Sequence, residues 1–263
     1  MDPHSIDLLA ERFIAAEVTR TPIEVPSLEI PGMTAADGYQ IQRAIIAKKI
    51  ASGARVVGKK IGLTSRANQE VFGVHEPVYG QLLASGVHPE NTPVDSRRLI
   101  QPIIECELTF VMRRRLAGPG VTIPDVIRAT EGIMPSLEIG DSRMRAWIGR
   151  ATVADILADS CGTAGIIMGG ELHSLQSFDL RYTGMVVEKN GDIVATGATG
   201  AVMGNPAQSV AWLANKLAEL ELALEEGELV LAGALTGAIR MVPGDVLKAT
   251  FGGGLGPVGA KFI

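Results

Sequence analysis

The spacing of apolar residues changes character near residue 55. Before that point they recur at helical intervals. Ile6, Leu8, Leu9, Phe13, Ile14 and Val18 form one such stripe, with Ser5 as its expected N-cap. A connector holding Pro22, Pro26 and Pro31 follows. Thr34 then caps a second helix, with Asp37 in its first turn, Tyr39, Ile41, Ala44, Ile45 and Ile50 as its stripe, and Gly53 as its end.

From Arg55 onward short apolar runs predominate. Val56 to Leu63, Ile103 to Met112, Pro135 to Ile139 and Ala164 to Met168 read as strands, with short helices at 122–130 and 153–158. Leu180 to Glu188 and Asp192 to Thr196 flank Asn190-Gly191, a strong hairpin signal. Asn205-Pro206 opens a helix running through Trp212 to Leu220, and four short strands follow over 228–262. The order does not alternate strand with helix, so the expectation is an α+β protein. An N-terminal helical lobe (1–54) packs on a mixed, mostly β body (55–263), the two forming one intimate unit, with no internal repeat.

Composition narrows the function. The formal net charge is −5, aromatics make up 4% and no long basic run exists, so nucleic acid is not an expected partner. No apolar stretch is long enough to span a membrane and no leader is visible, which reads as cytoplasmic. Two Cys and four His do not furnish a soft-ligand metal site, so any metal would be held by carboxylates. Gly is abundant, with 31 residues, which points to tight turns and close backbone approaches.

Carboxylates do occur in the right pattern. Strand alternation places Glu105 and Glu107 on one face and Ile104, Cys106, Leu108 and Phe110 on the other. Two readings compete: a solvated strand face, or a pair of hard ligands for Mg²⁺ or Mn²⁺. Glu138, flanked by Leu137 and Ile139, is a third carboxylate that needs a positive partner, either a shared cation or Arg143 or Arg145. Lys59 and Lys60 fall on opposite faces of their strand. They are either ordinary surface lysines or include one inward ammonium beside Gly62, able to meet an anion or give a proton. Ala158-Asp159-Ser160-Cys161-Gly162 either lines a site or makes a turn.

Several motifs occur together in order: Val57-Gly58-Lys59-Lys60-Ile61-Gly62-Leu63-Thr64, Glu76-Pro77-Val78-Tyr79-Gly80, Ile104-Glu105-Cys106-Glu107, Leu137-Glu138, Ala158-Asp159, and Gly204-Asn205-Pro206 with Val210 to Leu217. Across nearly the whole chain they resemble the 2-hydroxypentadienoate hydratase and 4-oxalocrotonate decarboxylase family of aromatic meta-cleavage pathways, whose C-terminal body is similar to fumarylacetoacetate hydrolase. The resemblance implies that Glu105, Glu107 and Glu138 hold Mg²⁺ or Mn²⁺ and that Lys60 is the active-site lysine. It also implies substrate contacts at Leu63, Val78, Tyr79, Ser160 and Thr236. By analogy it implies a homo-oligomer and association with a partner hydratase.

Departures from the family pattern bear on the reaction. Hydratases resembling this chain carry Asp at the position of Val78, and often Arg after the Thr equivalent to Thr236, where Gly237 stands here. Val78 moves no proton, which favours the decarboxylase branch. Ser160 replaces a common Asn, which bears on neither reaction. The expected activity is metal-dependent decarboxylation of a 2-oxo-3-enedioate to a 2-hydroxydienoate. The alternatives are water addition to a 2-hydroxy-2,4-dienoate, a non-catalytic subunit stabilising a hydratase, and a Schiff-base lyase using Lys60.

Overall fold

A computed structural model describes residues 1–263. Three helices come first: α1 (Pro3–Thr19), the single turn α2 (Pro26–Glu29) and α3 (Ala35–Ala51). The cap of α1 is Asp2, not Ser5. The Asp2 carboxylate accepts the Ser5 backbone N–H at 3.0 Å and its hydroxyl at 2.6 Å, so Ser5 is the residue being capped. Thr34 and Asp37 form the expected reciprocal capping box on α3.

The body continues with β1 (Val56–Gly62), α4 (Arg66–Val71), β2 (Val78–Leu83), β3 (Val87–Pro89), β4 (Ile103–Met112), α5 (Ile123–Ala129), β5 (Thr130–Gly140), α6 (Val153–Ala158) and β6 (Thr163–Met168). Next come β7 (Gly184–Lys189), β8 (Asp192–Ala198), α7 (Pro206–Ala218), β9 (Leu229–Leu231), β10 (Ile239–Arg240), β11 (Val246–Phe251) and β12 (Gly256–Lys261). The β7–β8 hairpin turns at Asn190 and Gly191, both at positive φ, as the sequence predicts. The first of those strands begins at Gly184 rather than Leu180. Asp179 accepts the N–H groups of Arg181 and Tyr182, and this side-chain turn outcompetes the strand.

One mixed sheet runs in the order β2-β1-β9-β4-β5-β6-β3, with β10 also pairing β4. A second, four-stranded sheet runs β12-β11-β7-β8. A core of 35 buried residues joins both sheets to α7. The N-terminal helices have a separate core of eight buried residues, completed from beyond residue 54 by Met144 and Ala158. The molecule is thus α+β, with a helical lobe packed on a β body. No helix is long and apolar enough to cross a membrane.

The lobe and body meet around a buried ion pair. Arg143 Nε lies 2.6 Å from Asp159 Oδ1, and both side chains are almost fully buried. The guanidinium also donates to the carbonyls of Asp141 and Asp159. Asp159 Oδ2 accepts the Ser142 hydroxyl and the Arg143 N–H. Removing one partner of such a pair leaves an unpaired buried charge, at a cost of about 3–5 kcal/mol. Arg143→Met should therefore lower the melting temperature by roughly 10 °C in a thermal unfolding scan.

Candidate metal and active site

The site is built where β1, β4 and β5 bring their inward faces together. In the antiparallel β4–β5 ladder Glu105 stands opposite Glu138, and Glu107 opposite Ser136. Alternation puts Ile104, Cys106, Leu108 and Phe110 on the other face, all fully buried in the core. The solvated-face reading fails at Glu107, which is 0% exposed, while Glu105 is half-buried; Glu138 across the ladder is also buried. One oxygen from each of the three carboxylates falls within a group spanning no more than 4.8 Å.

Short tethers fix these carboxylates. Glu107 Oε2 accepts the backbone N–H of Gly233, just beyond β9, at 2.8 Å. Glu138 Oε1 accepts the hydroxyl of Thr163, the first residue of β6, at 3.0 Å. Glu107 Oε1 and Glu138 Oε2 are buried without a hydrogen-bond partner. Orphaned anionic oxygens are costly in a protein interior. Two of them in a cluster of three carboxylates fit a hard divalent cation, with Glu105, Glu107 and Glu138 as its oxygen ligands.

Lys60 and Gly62 share a face of β1 with their partners Gly80 and Val78 on β2. Lys60 Nζ lies 3.1 Å from Glu138 Oε2 and 3.6 Å from Glu105 Oε2. The contact with Glu138 has ion-pair distance but not hydrogen-bond geometry. Glu138 therefore pairs with Lys60, not with Arg143 or Arg145, which the sequence left as alternatives. Lys59, on the opposite face, is also buried and meets Glu228 at 2.6 Å, so neither lysine is an ordinary surface one.

Crowding shifts the titration of these groups. Burial, reinforced by Glu138, pushes the Glu107 carboxyl well above the ordinary range. Burial pushes Glu138 up to about 7 against the pull of Lys60. Burial alone would lower Lys60, but Glu138 and Glu105 outweigh it and hold the ammonium above the usual lysine range. On the cavity wall, burial raises the Cys161 thiol to about 12 and Asp159 to about 6.

Glu138, ordinarily near 4.5, keeps a proton between pH 4.5 and about 7 that the unfolded chain has lost. Glu107 is shifted in the same direction, and Asp159 behaves likewise from 3.8 to about 6. Stability of the metal-free protein should fall as pH rises through this window. Asp37 and Asp125, lowered to about 2, act only at more acidic pH. Melting temperatures in EDTA should drop by several degrees from pH 5 to 7.5. Mg²⁺ should raise the melting temperature more at pH 7.5 than at pH 5, because a divalent cation held by this cluster would require its carboxylates deprotonated.

A cavity of about 270 Å³ opens onto Lys60, Glu105 and Glu138. Leu63, Val78 and Thr236 line it, together with Asp159 and Cys161. Leu63 has φ 54°, a strained conformation for a branched residue, and its carbonyl accepts the Gln69 amide at 2.8 Å. Two expected contacts lie elsewhere. Tyr79 follows Val78 in β2, so alternation turns it to the opposite face, where its ring packs 4.9 Å from that of Tyr39. Ser160 faces away from this cavity, and its hydroxyl accepts the Gln81 N–H at 3.3 Å. Gly80 lies within β2, and a Cβ there would fall 2.4 Å from the Ser160 carbonyl oxygen.

Thr163, Gly233, Phe72 and Trp147 belong to the site and were not expected there; the last two line its cavity. Nothing in their local sequence distinguishes them, because each meets the site through long-range packing. Asp159 and Cys161 fall in a segment whose polar, small-residue character did suggest a lining role.

Known proteins resemble this chain over nearly its whole length. The sequence profile described as fumarylacetoacetate (FAA) hydrolase C-terminal matches residues 55–263. A 4-oxalocrotonate decarboxylase of Pseudomonas sp. (strain CF600) is 39% identical over 97% of this chain and 96% of its own length. A 2-oxo-hept-4-ene-1,7-dioate hydratase of Escherichia coli is 37% identical over 100% of this chain and 99% of its own. The solved structure of 4-oxalocrotonate decarboxylase from Pseudomonas putida G7, complexed with magnesium and adipate, superposes with a TM-score of 0.96 at 38% identity, covering 100% of this chain and 99% of that one.

Proposed function

The chain belongs to the fumarylacetoacetate hydrolase family and is a lyase, and on that premise we propose that it decarboxylates a 2-oxo-3-enedioate of the 4-oxalocrotonate type to a 2-hydroxydienoate. Overall similarity does not choose the reaction, since decarboxylase and hydratase relatives stand at nearly equal identity. The observation that carries the choice is Val78. It is buried on the cavity wall, on the same strand-pair face as Lys60, where a proton-transferring side chain would be needed to direct water.

Glu105, Glu107 and Glu138 would hold Mg²⁺ or Mn²⁺. When bound, the cation supplies Lewis-acid polarisation of the 2-oxo group. The protein's own groups account for the remainder. Decarboxylation breaks the bond between the distal carboxylate and its carbon. The electron pair moves through the conjugated C=C to the 2-oxo oxygen, which then takes up a proton. Lys60 places a positive charge and a donatable proton beside the metal ligands, where that oxygen gains charge. Val78 and Leu63 contribute hydrocarbon to the cavity wall, which solvates a departing carboxylate poorly. No general base is required to begin.

The test uses purified protein with Mg²⁺, supplied separately with 4-oxalocrotonate and 2-hydroxypenta-2,4-dienoate, while CO₂ and ultraviolet absorbance are followed. CO₂ release from the first, with slow or no consumption of the second, is expected. Water addition without CO₂ release would establish the hydratase instead. Val78→Asp should lower decarboxylation kcat/KM by roughly ten- to a hundredfold, because a carboxylate on the cavity wall would repel the substrate's own carboxylate, and two unit charges of like sign about 5 Å apart repel by on the order of 3 kcal/mol at an effective dielectric of about 20. The same variant should gain measurable hydration.

A further inference from the structure

The place a cation would take among the three carboxylates is approached by the protein's own ammonium. Lys60 reaches in from β1 and is the only basic side chain lining this cavity. It is 5% exposed, so solvent cannot compensate its charge. Its two neighbours, Glu105 and Glu138, are two of the three carboxylates grouped within 4.8 Å. The contact with Glu138 lacks hydrogen-bond geometry, and Glu138 Oε2 stays orphaned despite it. Charge balance holds the ammonium here, rather than a set of directed bonds. A divalent ion ligated by all three carboxylates would outcompete it for the same anions and repel it at short range.

We propose that Lys60 is an internal counter-ion that competes with the divalent cation for Glu105 and Glu138, so that metal loading turns its ammonium away from the carboxylates and toward the substrate. The inference rests on the metal reading above. In the metal-free protein Lys60 offsets part of the buried negative charge, and in the loaded protein it is released. Its contribution to metal binding is therefore opposite in sign to a ligand's.

Isothermal titration with Mg²⁺ on metal-stripped protein, at fixed pH and ionic strength, tests the idea. Lys60→Met should bind Mg²⁺ at least about tenfold more tightly than wild type, while Lys60→Arg, which keeps the charge, should stay within about threefold. Equal or weaker binding by Lys60→Met would overturn the proposal while leaving the metal site standing. Failure of the wild type to bind Mg²⁺ would overturn the metal reading itself. Because Lys60→Met could misfold without metal, a second measurement uses the wild type. The ¹⁵N resonance of the Lys60 ammonium, assigned by its loss in Lys60→Arg, should move in proportion to Mg²⁺ occupancy. A resonance unchanged at saturation would overturn the competition.

Discussion

Glu107→Gln should weaken Mg²⁺ binding by about three orders of magnitude and, in the same protein, raise the melting temperature measured in EDTA. The two effects share a cause. Glu107 is fully buried, and one oxygen is already committed to the Gly233 N–H. Its other oxygen has no partner and belongs to the carboxylate group with Glu105 and Glu138. Glutamine keeps the volume and still offers an oxygen to Gly233, so the backbone beyond β9 stays in place. What it loses is one negative charge. At an effective dielectric of 20 a unit charge pair 4 Å apart is worth about 4 kcal/mol, which corresponds to roughly a thousandfold in affinity. Without metal, burial and repulsion by Glu138 and Glu105 outweigh what Lys60 and the Gly233 N–H return to that charge, so its removal stabilises the fold. Titration calorimetry reads the first effect and thermal denaturation the second. Unchanged Mg²⁺ affinity would show that these carboxylates do not form the metal site.

The elements that hold this site differ in how plainly the sequence shows them. Residues 103–112 are legible because strand parity is strict. Once Ile104, Cys106, Leu108 and Phe110 form the core row, Glu105 and Glu107 must share the other face. Glu138 stands out as a carboxylate between apolar neighbours, although only the ladder shows it directly opposite Glu105. The Asn190-Gly191 hairpin and the Thr34 capping box are local devices and are read locally.

Tertiary partners are less visible. Lys59 finds Glu228 across 169 positions, and Glu107 finds Gly233 across 126. No pattern at either end announces those pairs. The strand Val78–Leu83 escapes notice because Gly80, a poor strand former, interrupts it, and the glycine is there for the close passage of the Ser160 carbonyl. Tyr79 illustrates a different limit. Resemblance transfers positions along a chain, whereas contact depends on which face a side chain takes. Val78 and Tyr79 are neighbours in sequence and point to opposite sides of the sheet.

Lys60→Met should leave Mg²⁺ bound and decrease kcat by about a thousandfold, within the range of a lost proton donor. Lys60 and the three carboxylates belong to one charge cluster, so either substitution could be mistaken for general damage to it. Their signatures separate them. Glu107→Gln loses metal, and its activity should recover as Mg²⁺ is raised. Lys60→Met keeps metal, and no Mg²⁺ concentration should restore it. Methionine fills the volume of the lysine stem beside Gly62 and Val78, so the cavity wall persists and KM should change by less than about fivefold, the mark of an interaction made mainly in the transition state. Borohydride added during wild-type turnover should trap no substrate adduct, because this route uses Lys60 as a positive charge and proton source and forms no bond between its amine and the 2-oxo carbon. Turnover by Lys60→Met within tenfold of wild type would confine Lys60 to charge balance among the carboxylates and place the proton donor elsewhere on the cavity wall.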